Sequence, residues 1–183
     1  MTGAGVGSAP LTGALAAGKD AIVRAWLART LEAYPERTAR FLAQEGDPFR
    51  NPVGQTLKEA LPALFDELLG AMDAGRLSTL LDGIVRIRAV QDFTPSQATA
   101  FVFLLKKVIR EQMDLPPHLS PLPLRGAGEG EGAMALAAVE GRIDEMALLA
   151  FDLFVRCREQ MYWIKADEAR RRTSLLERMR ERP

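Results

Sequence analysis

The sequence predicts an all-α protein, built as a single helical bundle with a long C-terminal helix. Apolar residues recur at three- and four-residue steps through most of the 183 residues, which is the spacing of one face of an α-helix. Two helix-start signals, Asn51-Pro52 and Thr94-Pro95, each stand directly before such a stripe. No alternating strand pattern bounded by turn residues occurs, so we expect no β-sheet.

The chain starts with small residues. Residues 1–18 contain five glycines and predict a flexible lead-in. The predicted domain, residues 19–164, opens with a helix from Asp20 that carries Trp26 on its apolar side. Pro35 interrupts that helix, and it suits the first turn of a second, short helix over residues 36–44.

The next two helices are separated by glycines. Asn51 can cap free backbone amides while Pro52 occupies a position that needs no amide hydrogen bond, which predicts a helix start. An apolar stripe of about five turns follows, and Pro62 within it predicts a kink or a split into two helices. After Gly70 and Gly75, residues 77–91 predict another amphipathic helix.

The clearest local signal is Thr94-Pro95-Ser96-Gln97, which fits a capping box. The helix that it opens carries Phe101, Val102 and Leu105 on one face, whereas Phe103 and Leu104 point elsewhere. Its middle is therefore apolar nearly all round, which is typical of a helix covered on a second side by a partner.

Residues 114–132 are rich in proline and glycine and predict an extended loop that is dispensable for folding. The glycine run 126–132 is not interpreted as a phosphate loop, because no strand precedes it and its two glutamates would repel phosphate. A last helix is predicted from Met134 towards the C-terminus, and residues 165–183 form a charged helical tail.

Composition excludes several functions. Lysine plus arginine and aspartate plus glutamate each total 24, so a globally basic nucleic-acid binder is excluded. His118 and Cys157 are the only residues of their types, so we expect no enzyme activity, metal site, haem or other cofactor. No apolar run reaches the roughly 18 residues of a membrane span, which predicts a cytoplasmic protein without membrane insertion.

Two candidate sites follow from the helical pattern. The first is a contact surface for a second subunit, and we expect a homodimer. Its predicted residues are Phe103, Leu104, Lys107, Arg86, Arg88 and Asp92. For the last three, surface ion pairs and helix-end charges are the alternative interpretation. The second is an apolar ligand pocket lined by Trp26, Phe65, Phe101 and Leu105.

Four stretches of the chain have a specific order and spacing, although none is a catalytic signature. They are residues 26–36 (Trp-Leu through Tyr-Pro-Glu), 51–57 (Asn-Pro-Val-Gly with Thr-Leu), 84–93 (Ile-Val-Arg-Ile-Arg-Ala-Val-Gln-Asp-Phe) and 95–107 (Pro-Ser-Gln-Ala into Phe-Val-Phe-Leu-Leu-Lys-Lys). In this order they resemble the N-terminal domain of the RsbT co-antagonist family, the RsbRD-type N-terminal domain. The resemblance covers about half of the chain, and the last helix completes the domain.

The resemblance implies a helical, globin-like sensor or interaction domain that lacks haem and dimerises. In the stress-response regulators of this family the domain precedes a STAS domain, and the assembled proteins hold a switch kinase. The 183 residues show no α/β pattern, so no phosphoacceptor residue is carried over and we expect a stand-alone module.

The predicted function is therefore a non-catalytic signalling module that binds a regulatory protein: a kinase, a STAS-domain protein or a redox complex. Two alternatives remain open at this point. One is a sensor of a small apolar ligand, and the other is an accessory subunit of a redox enzyme complex that docks through Cys157 or the basic tail.

Overall fold

The structure, a computed structural model, describes residues 9–44, 46–47, 49–113 and 129–180. These residues form seven α-helices and no β-strand, which confirms the all-α prediction. The helices are α1 (Ala9–Ala17), α2 (Lys19–Leu31), α3 (Glu36–Gln44), α4 (Pro52–Leu69), α5 (Ala74–Val90), α6 (Pro95–Gln112) and α7 (Glu129–Arg180).

Side-chain caps determine where three helices begin. The Asn51 side chain accepts a 2.8 Å hydrogen bond from the Gly54 amide and donates one of 3.0 Å to the Leu42 carbonyl, so it also ties α3 to α4. Asp73 caps α5 by accepting from the Arg76 amide at 2.8 Å, and the helix therefore begins ahead of its predicted start at residue 77.

The capping box predicted at Thr94 is confirmed. The Gln97 amide donates to the Thr94 hydroxyl at 3.3 Å, and the Thr94 amide donates back to the Gln97 side chain at 3.0 Å. These two bonds satisfy amides that the first turn of α6 would otherwise leave free, and Pro95 follows directly as the first helical residue.

One element differs from the prediction, and for another the structure excludes one of the two predicted alternatives. Within the predicted flexible lead-in, Ala9–Ala17 forms α1, because Leu15 is fully buried in the core and its packing stabilises a segment of weak periodicity. Helix α4 is not split at Pro62. Its buried residues on both sides of the proline, among them Leu57 and Phe65, offset the cost of roughly 3 kcal/mol that proline brings to a helix interior.

Five helices form a ring around one hydrophobic core. Around this ring α2 packs on α4, α4 on α5, α5 on α7, α7 on α6, and α6 back on α2. The short α3 bridges α2 and α4, and α1 lies against α2 and α7. The largest fully buried apolar side chains are those of Trp26, Phe65 and Phe101. The globin-like arrangement implied by the family resemblance stays a prediction.

Helix α7 joins the ring and then continues past it. Its 52 residues correspond to a length of about 78 Å. Ion pairs of 2.7 Å join Arg110 to Glu140 and Lys106 to Asp144, and these pairs hold α7 along α6. The predicted loop over residues 114–132 lies outside the described residues up to position 128, while residues 129–132 belong to α7.

Candidate functional site

A groove of about 780 Å³ lies between α6 and α7. The predicted interface residues Phe103, Leu104 and Lys107 all line it. Phe103 is 48% exposed, and Leu104 is half-buried against the core. The capping box orients this face, because Pro95 begins α6 at one end of the groove and Lys107 lies three turns further along.

Helix α7 supplies the opposite wall of the groove. Phe151 lines it and is 44% exposed, and Leu148, three residues earlier and therefore on the same side of α7, is also exposed. We refer to Phe103, Leu104, Leu148 and Phe151 as the outer apolar surface. Exposed apolar side chains that lie together on a helical domain are typical of a contact site for another macromolecule.

Sequence reasoning missed the contribution of α7 to this surface. The core-facing stripe of α7, which includes Met146, Ala150 and Phe154, is buried and does not cover Phe103. Phe103 therefore stays half exposed. The signal that could have found the missing residues is the second stripe on α7, in which Leu148, Phe151 and Val155 recur at steps of three and four.

The charged part of the predicted interface divides into exposed and buried residues. Arg86 is exposed and forms an ion pair of 3.0 Å with Asp82, four residues earlier on α5. Asp92 lies in the turn after α5 with a φ of 59°, and its carboxylate is 3.5 Å from Arg158 of α7. Arg88 is buried, so a contact surface cannot include it.

The burial of Arg88 corrects the prediction that grouped it with Arg86 and Asp92. Arg86 and Arg88 are two positions apart on α5 and therefore face different sides of the helix. The Arg88 Nη1 donates to the carbonyls of Gln97 and Ala98 at 3.1 and 3.3 Å. These two bonds pull the guanidinium beneath the first turn of α6.

Three aromatic rings enclose the Arg88 guanidinium. Its Cζ lies 5.9, 5.3 and 4.9 Å from the ring centroids of Tyr34, Phe93 and Phe101. Aromatic faces attract a cation through their quadrupole. Burial lowers the pKa of Arg88 from its ordinary value, and Tyr34 offsets part of that shift. The guanidinium is therefore held by rings and by backbone carbonyls.

A second, smaller groove of about 420 Å³ lies beside this cluster. Phe93 lines it from the α5–α6 turn, and Phe154 and Arg158 line it from α7. The Arg158 guanidinium also donates a 3.2 Å hydrogen bond to the Ala89 carbonyl, which ties α7 to the end of α5. Phe93 thus contacts the Arg88 cluster on one side and borders a solvent groove on the other.

The comparison with known families decides what this helical domain is. The family model described as the RsbT co-antagonist protein rsbRD N-terminal domain matches residues 20–171. The chain belongs to the RsbT co-antagonist N-terminal domain family. The match runs from α2 into α7, so it includes the last helix, beyond the stretches over residues 26–107 that carry the resemblance.

Membership in the RsbT co-antagonist family makes this a signalling-related regulatory domain. No curated protein and no solved structure matches the chain. Among the described helices, none is both long enough and apolar enough to cross a membrane.

The predicted apolar pocket residues of this co-antagonist domain lie together in the core. Trp26 stacks on Phe101 with 6.4 Å between ring centroids, and its Nε1 donates a 2.6 Å hydrogen bond to the Phe101 carbonyl. Phe65 and Leu105 are fully buried. These side chains contact other core side chains, and both grooves described above are lined by different residues. The ligand pocket stays a prediction.

Little in the described part of the domain offers catalytic or metal-binding chemistry. Its His, Cys, Asp and Glu residues include no group of three or more that could hold a metal ion. Cys157 is buried, and His118 lies outside the described residues. The family is a regulatory one, and the absence of enzyme activity stays a prediction.

The far part of α7 presents a different surface. Cys157 is buried at the edge of the core, and from Tyr162 onward the described side chains of α7 are nearly all exposed. Three consecutive large side chains, those of Tyr162, Trp163 and Ile164, are each more than three-fifths exposed. We refer to these three residues as the α7 aromatic segment. It lies where α7 leaves the ring, next to the charged turns that follow.

Proposed function

We propose that this RsbT co-antagonist N-terminal domain is a non-catalytic signalling module that forms a homodimer and binds a regulatory protein. The observation that carries the dimer is the outer apolar surface of α6 and α7, in which Phe103 and Phe151 line one groove and remain about half exposed. We place the module in the cytoplasm.

A second copy of the chain is the occupant that fits this surface best. In a two-fold dimer the same patch contacts itself, so it must be complementary to its own copy. The outer apolar surface suits that condition, because its four named residues are uncharged, Lys107 lies at its edge on α6, and the exposed Asp152 follows Phe151 directly on α7. An apolar centre with a polar rim is typical of protein interfaces.

The expected contact contributes to assembly. Burying a fully exposed phenylalanine side chain contributes roughly 1.5–3 kcal/mol, and Phe103 and Phe151 are already about half buried, so each adds roughly half of that amount. A symmetric interface buries Phe103 and Phe151 twice each, and together with the two leucines this offsets much of the entropy lost on association. We therefore expect a dimer at micromolar concentration, where about −8 kcal/mol of binding free energy is needed.

The regulatory partner would bind the α7 aromatic segment, beyond the ring. Aromatic side chains are enriched at protein interfaces, and Trp163 is well exposed on a helix that the core holds in place. The proposed partner is a kinase or a STAS-domain protein. The redox-complex alternative has less support, since Cys157 is buried and an accessible thiol would be needed.

Sedimentation velocity at micromolar concentration tests the dimer. We expect the wild-type chain to sediment as a dimer and the variants Phe103→Asp and Phe151→Asp to dissociate. Each variant should weaken the dimer at least tenfold, because it places two charges in the apolar centre. Phe49→Asp is the matched control, since Phe49 is 96% exposed outside the outer apolar surface.

Two outcomes would contradict this proposal. A wild-type monomer across the micromolar range would remove the dimer altogether. A Phe49→Asp variant that dissociates as readily as Phe103→Asp would show that α6 and α7 do not form the contact.

Partner binding is tested separately on chains that remain dimeric. Co-purification from the native host, quantified for the wild type and for Trp163→Ala, should show a loss of at least tenfold for the variant if the α7 aromatic segment makes the contact. Equal recovery with both chains would place the partner elsewhere.

A further inference from the structure

Arg88 is a buried cation that uses only part of its hydrogen-bonding capacity. Its side chain is 1% exposed. Nη1 donates to the carbonyls of Gln97 and Ala98, whereas Nε and Nη2 have no hydrogen-bond partner among the described residues. Buried donors of a charged group that lack a partner lower the stability of the fold, so their presence in the core needs an explanation.

The two unpaired nitrogens share one edge of the guanidinium. Nε–H and one Nη2–H of arginine point in the same direction and in the same plane. This pair of parallel donors matches the two oxygens of a carboxylate, which binds such an edge in bidentate fashion. The carbonyls of Gln97 and Ala98 accept hydrogen bonds from Nη1, on the other side of the guanidinium. The structure therefore holds Arg88 with its carboxylate-binding edge unused.

The surroundings of Arg88 favour an anion at that edge. The rings of Tyr34, Phe93 and Phe101 attract the cation, and the Tyr34 hydroxyl is near enough to raise the pKa of Arg88, but a ring face cannot accept two in-plane N–H bonds. No Asp or Glu side chain forms an ion pair with Arg88 in the described part of the chain, so its charge has no counter-ion there. A buried charge of this kind is stabilised strongly by a partner of opposite sign.

A second buried polar atom without a hydrogen-bond partner in the described part of the chain lies on α2. The Thr30 hydroxyl is buried and has no hydrogen-bond partner among the described residues. Thr30 is four residues from Trp26, which stacks on Phe101, and four residues from Tyr34, which borders Arg88. The Thr30 hydroxyl, on the helix that carries Trp26, is therefore a second buried donor without a partner in the described structure.

We propose that the Nε/Nη2 edge of Arg88 is a binding site for the carboxylate group of a small molecule. The guanidinium is buried inside one subunit and enclosed by three rings, so a ligand must be small and must displace a ring to enter; a monocarboxylate meets the first condition, and a side chain of a partner protein does not. This inference goes beyond the proposed dimer, because the test below does not depend on the oligomeric state of the chain.

Phe93 provides the route to this site. Its ring lies 5.3 Å from Arg88 and also lines the smaller groove, so it separates the guanidinium from solvent. The preceding residue, Asp92, has a φ of 59°, which is an uncommon backbone conformation for a residue other than glycine. Movement of this turn would displace Phe93 and open Arg88 to the groove, whose wall carries Arg158 together with the carboxylates of Asp92 and Glu159.

Thermal unfolding of the full chain in increasing sodium acetate tests the proposal. Total ionic strength is kept constant with sodium chloride, and acetamide serves as the uncharged analogue. We expect the wild-type midpoint to rise with the logarithm of the acetate concentration once that concentration exceeds the dissociation constant, by about 5–10 °C at a hundredfold excess. Acetamide should produce no such rise, because it carries no anionic carboxylate.

Two variants separate the site from general salt effects. Arg88→Met removes the donors with little change in length and should abolish the logarithmic rise. Arg142→Met is the matched control, because Arg142 also donates to backbone carbonyls, those of Leu68 and Gly70, but lies on the surface. It should keep the wild-type response. A logarithmic rise of equal size in Arg88→Met would overturn the proposal, as would a wild-type rise that is linear across the whole acetate range.

A spectroscopic measurement covers the case in which Arg88→Met does not fold. In the wild-type chain labelled with ¹⁵N, the Nε–H resonance of Arg88 should shift with acetate and saturate, with the dissociation constant that thermal unfolding gives. The resonance of Arg142 should stay unchanged. An Arg88 resonance that does not respond to acetate would refute the site without any substitution.

Discussion

Two phenylalanines on α6, two positions apart, have opposite environments. Phe101 is 1% exposed and packs beneath Trp26 of α2, whereas Phe103 is 48% exposed in the groove towards α7. The residue type is the same, so the difference comes from the neighbouring helices. Helix α2 covers the inner face of α6, and α7 leaves the outer face half open. The inner face therefore stabilises the subunit, and the outer face is available for assembly.

The largest expected effect is that of Phe101→Asp. It removes a buried ring and places a carboxylate in the core, and the loss of packing alone costs about 3–5 kcal/mol. The buried charge adds to this cost, and the total approaches the whole stability of an ordinary domain, about 5–15 kcal/mol. Urea unfolding followed by far-UV circular dichroism should show no cooperative transition. A folded Phe101→Asp dimer would show that the two faces are assigned the wrong way round.

Trp26→Phe tests the inner face more gently. The substitution keeps an aromatic ring but removes the 2.6 Å hydrogen bond from Nε1 to the Phe101 carbonyl, and it leaves a small cavity. We expect the free energy of unfolding to fall by about 1–3 kcal/mol. Trp163→Phe is the control, because Trp163 is exposed beyond the ring and should change stability by less than about 0.5 kcal/mol. Equal losses in both variants would argue against a specific role for Trp26.

Thr94→Ala should lower the free energy of unfolding by removing the cap at the start of α6, the helix that carries both faces. The variant loses the hydroxyl that accepts from the Gln97 amide, and a lost cap costs about 1 kcal/mol. Chemical denaturation measures this difference. Thr79→Ala is the matched control, since the Thr79 hydroxyl donates to the Gly75 carbonyl within α5 and caps no helix start. If Thr79→Ala proves as destabilising as Thr94→Ala, the capping box contributes nothing specific.

The smallest expected effect on the subunit is that of Phe103→Asp. In dilute solution, where the subunits are separate, the free energy of unfolding should stay within about 0.5 kcal/mol of the wild type. Phe101→Asp, the same substitution two positions earlier, is expected to unfold the chain. The two variants therefore compare the inner and outer faces of α6 directly. A loss of several kcal/mol in Phe103→Asp would show that the outer face belongs to the core.

The sequence predicted this fold more completely than it predicted the candidate site. The helix starts at Pro52 and Pro95 are where the capping residues indicated, because a cap acts on amides only two or three residues away. Helix α1 was missed because its small residues show no clear stripe, and only the burial of Leu15 reveals its role.

At the site, polarity alone misled the prediction for Arg88. An arginine is expected at the surface unless its neighbours are known, and its ring contacts come from three separate places in the chain. Leu148 and Phe151 were missed for a related reason. Two apolar stripes run along α7, and periodicity does not show which one faces the core.

The sequence by itself determined the all-α class, the capped helix starts and the family, because these depend on residues close together along the chain. The tertiary structure alone decided which face of α6 is covered and which charged residue is buried. Trp26 and the Phe101 carbonyl that it binds are 75 positions apart, and Arg88 is enclosed by residues from both sides of α5. Whether a side chain is buried depends on which residues pack around it, and the sequence alone does not show which residues those are.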